Sequence, residues 1–466
     1  MINLSIRKIT AAMLWLFIGV QSTMAQDNFK LPAHTKVTYD NGLTVYFVVQ
    51  KEVPLVHFRA VFPAGVRYDS HAKAGLASLT ADALSTGTKR YTKAQIEETL
   101  DFIGASISNG ASTESASLAA TFVNKDQDLV LPILAEMITQ PVFPADEFEK
   151  MSQRAIASID QMRESPRSVI NNYFNAMVYK DHPYANIASG TKNSLGSITA
   201  SDLNEFYRAH YTPRGTVMAV VGDFNLLAMK QAIENLFVSW ENNTPPPTPA
   251  ISIKAPTEAK VVIVNKQDAR ETTMLIGGLG VARNTEDFIA IQVINTILGG
   301  RFTSMLNDEL RVNSGLTYGA RSSFNALKEG GTFNMSTFTA NESTKETIAL
   351  ALKTYQKIFD GAIDEKTLTS AKNYVKGQFP PDYETNAAIA RFYTDAFIYG
   401  IPLNYIDNFS ATVDGLTVKK AKVIIERYFP KDHLQMVFIG KASLIQPLVN
   451  EYGSVKVFEI TQDVYQ

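Results

Sequence analysis

The sequence contains no cysteine, and that absence removes several kinds of site. No disulfide can form, no lipid can be attached through an N-terminal cysteine, and a cysteine nucleophile or a thiolate-bound zinc ion is excluded. Histidine and carboxylate side chains are the only strong zinc ligands that remain. Stability must come from packed cores, and 466 residues are enough for two domains of about 200 residues each.

Histidine is scarce, and its spacing excludes a metal-binding pair on one helix. The six histidines are His34, His57, His71, His182, His210 and His433. No two of them stand three or four residues apart, so no two can face one metal ion from adjacent helical turns. The sequence also lacks a Gly-x-Ser-x-Gly elbow and a phosphate-binding loop. Each histidine by itself is typical of a structural or surface residue.

Neither sign of charge dominates the chain. Lys and Arg together number 44 and Asp and Glu 46, which gives a formal net charge of −2. That balance offers no electrostatic reason to expect nucleic acid or an anionic membrane as a partner. The apolar fraction of 45% and the charged fraction of 19% are those of a water-soluble globular protein.

The apolar stretch near the N-terminus is short. Arg7 and Lys8 precede an apolar run over residues 9–20, and Thr23-Met24-Ala25 then offers small residues for cleavage. This order predicts a secretory signal peptide over residues 1–25. The alternative is an uncleaved anchor, but a membrane-spanning helix needs about 20 apolar residues. We therefore expect an exported protein, located in a bacterial periplasm, without a stable membrane anchor.

The two halves of the chain repeat one pattern on either side of a proline-rich linker at residues 242–256. Three pairs of positions share an offset of 218 residues: Thr199 and Thr417, Tyr211 and Phe429, and Gly222 and Gly440. In each half the threonine opens a helix-like run and the glycine closes an apolar run. A constant offset of this kind is typical of a duplicated unit. The sequence predicts homologous domains at residues 30–241 and 257–466.

Each half mixes strand-like and helix-like segments without a regular βαβ order. Apolar alternation over residues 44–49 and 261–264 predicts strands, whereas the periodicity of residues 348–352 predicts an amphipathic helix. The pattern favours the α+β class, with two domains that each contain a mostly antiparallel sheet covered by helices on one side.

The segment from Gly65 to Tyr91 resembles the opening of an insulinase (pitrilysin-like, inverzincin) metallopeptidase domain. It includes Gly65-Val66-Arg67-Tyr68-Asp69, Lys73-Ala74-Gly75-Leu76-Ala77 and Gly87-Thr88. In that family the segment between these glycines carries the zinc motif His-x-x-Glu-His, whose histidines share one helical face while the glutamate is the general base. The resemblance covers nearly the whole chain from His34 and implies a clam-shell of two such domains.

The zinc motif is degenerate in this chain. Ser78 and Asp82 stand at the two histidine positions, and Ala81 stands at the glutamate. The family's third ligand, a glutamate on a downstream helix, aligns with Ala157 and Ser158. The resemblance therefore implies no metal site and no catalytic residue in this chain alone.

The second half keeps the family's C-terminal signature, in which a tyrosine follows an arginine after seven residues in a Gly-Leu-x-Tyr context. Here the pair is Arg311 and Tyr318, within Gly315-Leu316-Thr317-Tyr318. In the family these side chains reach the zinc site, bind the substrate backbone and stabilise the tetrahedral intermediate. A guanidinium and a phenol are suitable donors for that oxyanion. The alternative is structural, with Arg311 capping the preceding helix and Tyr318 half-buried in a strand.

The family has two-chain members in which one subunit holds zinc and the other supplies the arginine and tyrosine. The resemblance implies that this chain is the non-catalytic, substrate-binding subunit of a heterodimeric zinc metallopeptidase that degrades peptides. It would carry no cofactor itself, and its partners would be a zinc-bearing insulinase-like subunit and peptide substrates. Two alternatives remain: a pseudo-peptidase that binds peptides or acts as a scaffold without hydrolysis, and an active hydrolase with an unrecognised site.

Overall fold

In a computed structural model, which describes residues 30–241 and 252–464, the apolar segments of the two halves form two six-stranded sheets. The first sheet contains β1 (His34–Thr38), β2 (Thr44–Val49), β3 (Leu55–Phe62), β4 (Ser106–Ala111), β5 (Ala116–Val123) and β6 (Val217–Gly222). The second contains β7 (Lys260–Asn265), β8 (Glu271–Leu279), β9 (Ala320–Ala326), β10 (Gly331–Ala340), β11 (Gln435–Gly440) and β12 (Ser454–Glu459). The signal peptide predicted over residues 1–25 lies outside the described residues, as do residues 242–251 of the predicted linker.

The helices of the first half are α1 (Leu76–Ala83), α2 (Lys93–Phe102), α3 (Gln127–Thr139), α4 (Ala145–Glu164), α5 (Pro166–Tyr179), α6 (Lys192–Ser197), α7 (Ala200–His210) and α8 (Leu226–Phe237). Those of the second half are α9 (Phe288–Asn295), α10 (Met305–Asn307), α11 (Thr344–Phe359), α12 (Glu365–Gln378), α13 (Asn386–Tyr399), α14 (Tyr405–Asp414), α15 (Val418–Tyr428) and α16 (Ala442–Val449). Two π-helical turns, Thr296–Gly300 and Asp308–Asn313, follow α9 and α10.

The two sheets share one strand order. The first runs β1-β2-β6-β3-β5-β4 and the second β12-β7-β11-β8-β10-β9, so five consecutive strands correspond. In both sheets the central β6 or β11 is antiparallel to one neighbour and parallel to the other. Only the sixth strand of each sheet differs: β1 is antiparallel to β2, whereas β12 is parallel to β7. The predicted α+β class with two mostly antiparallel sheets is confirmed.

The offset of 218 residues corresponds to equivalent positions in the two halves. Thr199 and Thr417 are the N-caps of α7 and α15, and each side chain accepts the N–H three residues later. Gly222 and Gly440 are the last residues of β6 and β11. At Gly222 a Cβ atom would lie 2.1 Å from the carbonyl oxygen of Leu55, so a side chain is excluded there.

Each half places one helix on the sheet of the other half. Helix α5 packs on β8 and β11, whereas α13 packs on β3 and β6. At the second contact the Tyr393 ring stacks on Tyr46 with 5.0 Å between ring centroids, and Tyr393 Oη lies 3.1 Å from Nδ1 of His34. The opposite face of the first sheet packs against the helices of its own half in one large apolar cluster. The expectation of helices on one side only is therefore wrong. The helices α5 and α13, which we call the exchanged helices, cover the second face of each sheet.

One helical run among the described residues, Phe288–Asn313, is long and apolar enough to cross a membrane by length and composition. Its most apolar 18-residue window has a mean hydropathy of 1.2, and 61% of that window is buried inside the protein. Ile291, Val293 and Ile294 are completely buried against neighbouring elements. Burial of this kind is typical of a core helix, so the run is weak evidence for a membrane span.

Candidate functional site

Asp69 fixes the start of α1, the helix that carries the zinc-motif positions. Gly75 precedes the helix with φ of +95°, a left-handed backbone conformation that glycine adopts readily. The Asp69 carboxylate accepts the backbone N–H groups of Gly75 and Ala77, both at 2.9 Å. Burial raises the pKa of Asp69 to about 7, although these N–H donors act in the opposite direction. Both carboxylate oxygens are thus engaged by the helix N-terminus.

Ser78 and Asp82 lie one helical turn apart on α1, as the two histidines of the motif would. Ser78 is half-buried, Asp82 is solvent-exposed, and Ala81 between them is completely buried. Although Asp82 is exposed, desolvation by the protein around it raises the pKa of its carboxyl to about 6. One carboxylate and one hydroxyl do not make the nitrogen- and carboxylate-rich ligand set that zinc requires in proteins.

The third-ligand positions lie on α4 and add no donor for zinc. Ala157 is exposed, and the Ser158 hydroxyl donates to the carbonyl of Ala155 at 2.7 Å. Asp160, two residues further on, is paired with Lys192 at 2.6 Å. Nowhere in residues 30–241 and 252–464 do three or more His, Asp or Glu side chains form a group that could hold a metal ion. The residues present do not fit a zinc ion.

Strand β4 runs beside α1 at the edge of the first sheet. The Asn109 side chain donates to the carbonyls of Ala81 and Asp82, at 2.7 and 3.0 Å, which ties the strand to the end of the helix. In the described sheet β4 pairs only with β5. Its outer backbone edge can therefore accept an added strand.

Arg311 lies within the second π-helical turn, and Tyr318 lies between that turn and β9. Tyr318 is 82% exposed, and Arg311 is half-buried. The Arg311 guanidinium stacks over the Phe302 ring at 4.7 Å, and Phe302 is itself 63% exposed. The alternative that Tyr318 is a half-buried strand residue is wrong, because the tyrosine precedes β9 and projects into solvent.

The structure does not join the two parts of the predicted site directly. Among the described residues, no hydrogen bond, ion pair or ring contact links Arg311 or Tyr318 to the zinc-motif positions on α1. The motif positions and the signature residues therefore do not form one catalytic centre within this chain.

Two models of one peptidase family match the chain. The model described as Insulinase (Peptidase family M16) matches residues 47–192, and the model described as Peptidase M16 inactive domain matches residues 197–375. The chain belongs to the insulinase family. The predicted resemblance to that family is confirmed.

Relatives of this insulinase-family chain have names of both kinds, peptidase and non-peptidase. An uncharacterized zinc protease from Rickettsia felis is 26% identical over 337 residues, which are 72% of this chain and 80% of the relative. The non-peptidase homolog YmxG from Helicobacter pylori is 21% identical over 431 residues, which are 92% and 97% of the two chains.

Solved structures show the same fold. A peptidase M16 inactive domain from Pseudomonas fluorescens superposes with a TM-score of 0.82 at 25% identity, covering 88% of this chain and 98% of that one. A protease from Helicobacter pylori gives a TM-score of 0.80 at 21% identity, with coverage of 88% and 100%. The inactive-domain and non-peptidase descriptions fit a non-catalytic member of the family.

Sequence reasoning missed a buried ionic network between the halves. Arg67 donates to Glu114 at 2.8 Å and also contacts Glu329 in the hairpin between β9 and β10. Glu114 also accepts the Tyr184 hydroxyl and the backbone N–H of Lys328, the latter at 2.9 Å. Only Arg67 could have been noticed in the sequence, because it is a cation inside an apolar segment. Its partners could not, because they are 47 and 262 residues away along the chain.

A polar cavity on the far side of the first sheet was also missed. His57 and Arg59 both line it from β3. Two polar residues at alternate positions of an otherwise apolar strand are a readable signal that one face of the strand lines a polar space.

Proposed function

We propose that this chain is the non-catalytic subunit of a two-chain zinc metallopeptidase and provides Arg311 and Tyr318 to the zinc site of its partner. One contrast carries the proposal. The zinc-motif positions Ser78, Ala81 and Asp82 do not fit zinc, whereas the Tyr318 phenol is 82% exposed and ready to contact another molecule. A scaffold without a role in hydrolysis has no need of that pair.

Arg311 and Tyr318 are available as hydrogen-bond donors. In the described part of the chain, neither side chain forms a hydrogen bond or an ion pair. The Arg311 guanidinium stacks on the Phe302 ring. Stacking on an aromatic face orients a guanidinium without using its N–H groups. Both side chains can therefore donate to a peptide carbonyl, or to the oxyanion that forms from it, when a zinc-bearing subunit faces them.

The surface around these residues is suited to a protein partner. Phe302, Val312 and Tyr318 are large apolar or aromatic side chains that are 63%, 62% and 82% exposed. Phe302 stacks on Arg311 and Val312 follows Arg311 in the chain, and exposed apolar side chains next to one another mark interaction sites. The occupant we propose is an insulinase-family subunit with an intact His-x-x-Glu-His motif, which would enclose peptide substrates between the two chains. The signal-peptide pattern of residues 1–25 supports a periplasmic location for that complex.

The proposal is tested by measuring zinc content and peptide hydrolysis of the purified chain, alone and mixed with a zinc-bearing relative from the same organism. We expect no zinc and no hydrolysis from the chain alone, and activity above that of the relative alone after mixing. Zinc-dependent hydrolysis by the chain alone would instead support the active-hydrolase alternative. If the mixture forms a complex but gains no activity, the scaffold alternative replaces the proposal.

A further inference from the structure

A cavity of about 560 Å³ lies between the first sheet and helix α13, and it belongs to neither part of the site described above. We call it the arginine cavity; it is lined by His57, Arg59, Ser108, Arg283, Arg391 and Asp395, among others. It lies on the sheet face opposite α1, because Ser108 lines the cavity while the next residue, Asn109, bonds to α1. Helix α13 packs on the β3 and β6 part of this sheet face. The β4 and β5 part of the same face lies beside the helix and borders the open part of the cavity.

Three guanidinium groups in this cavity outnumber two carboxylates. Arg391 donates to Asp395 through a long contact of 3.4 Å, and the Arg391 side chain is 74% exposed. Arg59 donates from Nε to the neutral hydroxyl of Thr394 at 3.2 Å. Asp382 is the second acidic residue of the lining. The neighbouring histidine adds no charge at neutral pH, because burial and the nearby Arg59 lower the pKa of His57 to about 4.

Arg283 is the third guanidinium group. It stacks over the rings of Phe288 and Tyr405, with distances of 4.2 and 5.4 Å to the ring centroids. Its Nη1 nitrogen is buried and has no hydrogen-bond partner among the described residues. No ion pair among the described residues includes Arg283, so its positive charge has no direct carboxylate partner there and can act on an anionic ligand.

We propose that the arginine cavity binds a carboxylate group of a peptide. An extended peptide that pairs with the outer edge of β4 would place alternate side chains on the cavity side, next to Ser108. The residues of β4 on that side, Ser106, Ser108 and Gly110, are small and leave room for them. Planar guanidinium groups bind carboxylates through paired hydrogen bonds, which favours an acidic ligand over a neutral one of the same shape. The inference rests on the proposed handling of peptides and adds a preference for acidic ones.

Fluorescence polarisation on the full-length mature chain, without any zinc-bearing subunit, tests this inference. Three fluorescein-labelled decapeptides are needed: one with a central Glu and an amidated C-terminus, one with Gln in its place, and one with Gln and a free C-terminal carboxylate. We expect the Glu peptide to bind about five to ten times more tightly than the amidated Gln peptide. Tighter binding of the third peptide would identify the terminal carboxylate as the preferred source of the group.

Two substitutions with opposite expected effects on the affinity for the Glu peptide make the test specific to the cavity. Arg391→Met should weaken binding of the Glu peptide about fivefold, and Asp395→Asn should strengthen it about threefold by removing the competing carboxylate. Neither should change binding of the amidated Gln peptide, and Arg270→Met, an exposed arginine in another loop, should change nothing. Because the Arg391 side chain is largely exposed, its replacement should leave the fold intact.

Equal affinity for the three peptides, or affinities that the cavity variants leave unchanged, would overturn the inference. Absence of binding by all three would overturn it as well. None of these outcomes bears on whether the chain activates a zinc-bearing relative on mixing, so failure here is distinguishable from failure of the proposed function.

Discussion

Arg67 and Glu114 form an ion pair of 2.8 Å in which the two side chains are only 3% and 2% exposed. Glu329, from the other half of the chain, contacts the same guanidinium, and His182 lies 3.4 Å from Glu329. The segment that carries the degenerate zinc motif is thereby connected to the β9–β10 hairpin of the second half. A buried charge is tolerated only with its partners in place.

Removing one partner of this pair should destabilise the protein strongly. We expect Arg67→Met to lower the free energy of unfolding by about 3–5 kcal/mol, because Glu114 would remain buried without its countercharge. Urea denaturation followed by circular dichroism measures the change. Arg270→Met serves as the control and should alter stability by less than about 0.5 kcal/mol. A loss below about 1 kcal/mol for Arg67→Met would show that the pair is more hydrated than its burial indicates.

The exchanged helices predict that the halves cannot be separated. A fragment of residues 30–241 would lose α13 from its sheet, and a fragment of residues 257–466 would lose α5. We expect each fragment alone to aggregate or bind a hydrophobic dye, because an apolar sheet face would be exposed. The two fragments expressed together should elute as one 1:1 complex in size-exclusion chromatography. A single fragment that is monomeric and cooperatively folded would contradict this packing.

His210 should contribute to loss of stability in acid. It is 7% exposed, lies between the rings of Tyr68 and Phe206, and burial lowers its pKa to about 4. Between pH 6.5 and 4 the unfolded chain binds a proton at this residue that the folded chain does not, so stability falls as the pH falls.

The variant His210→Phe should therefore reduce the difference in unfolding free energy between pH 7 and pH 4.5. We expect a reduction of about 2 kcal/mol, because most of the titration between the ordinary pKa and the lowered one falls within this pH range. Urea titrations of both proteins at both pH values give the comparison, and other titrating groups cancel in it. An unchanged difference would mean that His210 has the same pKa in the folded and the unfolded chain.

Local features of the fold could be predicted from the sequence because their causes are local. Thr199 and Thr417 cap helices because a threonine side chain can accept the N–H groups at a helix start. The strands around Val45 and Val262 followed from short apolar runs. The common offset of 218 residues then implied two related sheets, and both are present.

Features that depend on contacts between the halves could not be predicted. The apolar face of α13 does not specify which sheet it covers, and Arg67 lies 262 residues from Glu329. For the candidate site, the loss of zinc ligands at Ser78 and Asp82 could be predicted from residue chemistry alone. The 82% exposure of Tyr318 could not, because Gly-Leu-Thr-Tyr before a strand fits a half-buried residue equally well.

The roles proposed for Arg311 and Tyr318 are tested most directly by the rate at which the assembled two-chain complex hydrolyses a quenched fluorescent peptide. We expect Arg311→Ala and Tyr318→Phe each to lower kcat by about 10²-fold, because each removes a donor to the oxyanion, while size-exclusion chromatography shows an intact complex. The control substitutions Arg270→Ala, in the loop between β7 and β8, and Tyr452→Phe, at a half-buried tyrosine just before β12, should leave the rate unchanged. Unchanged hydrolysis by complexes that carry Arg311→Ala or Tyr318→Phe would contradict the account.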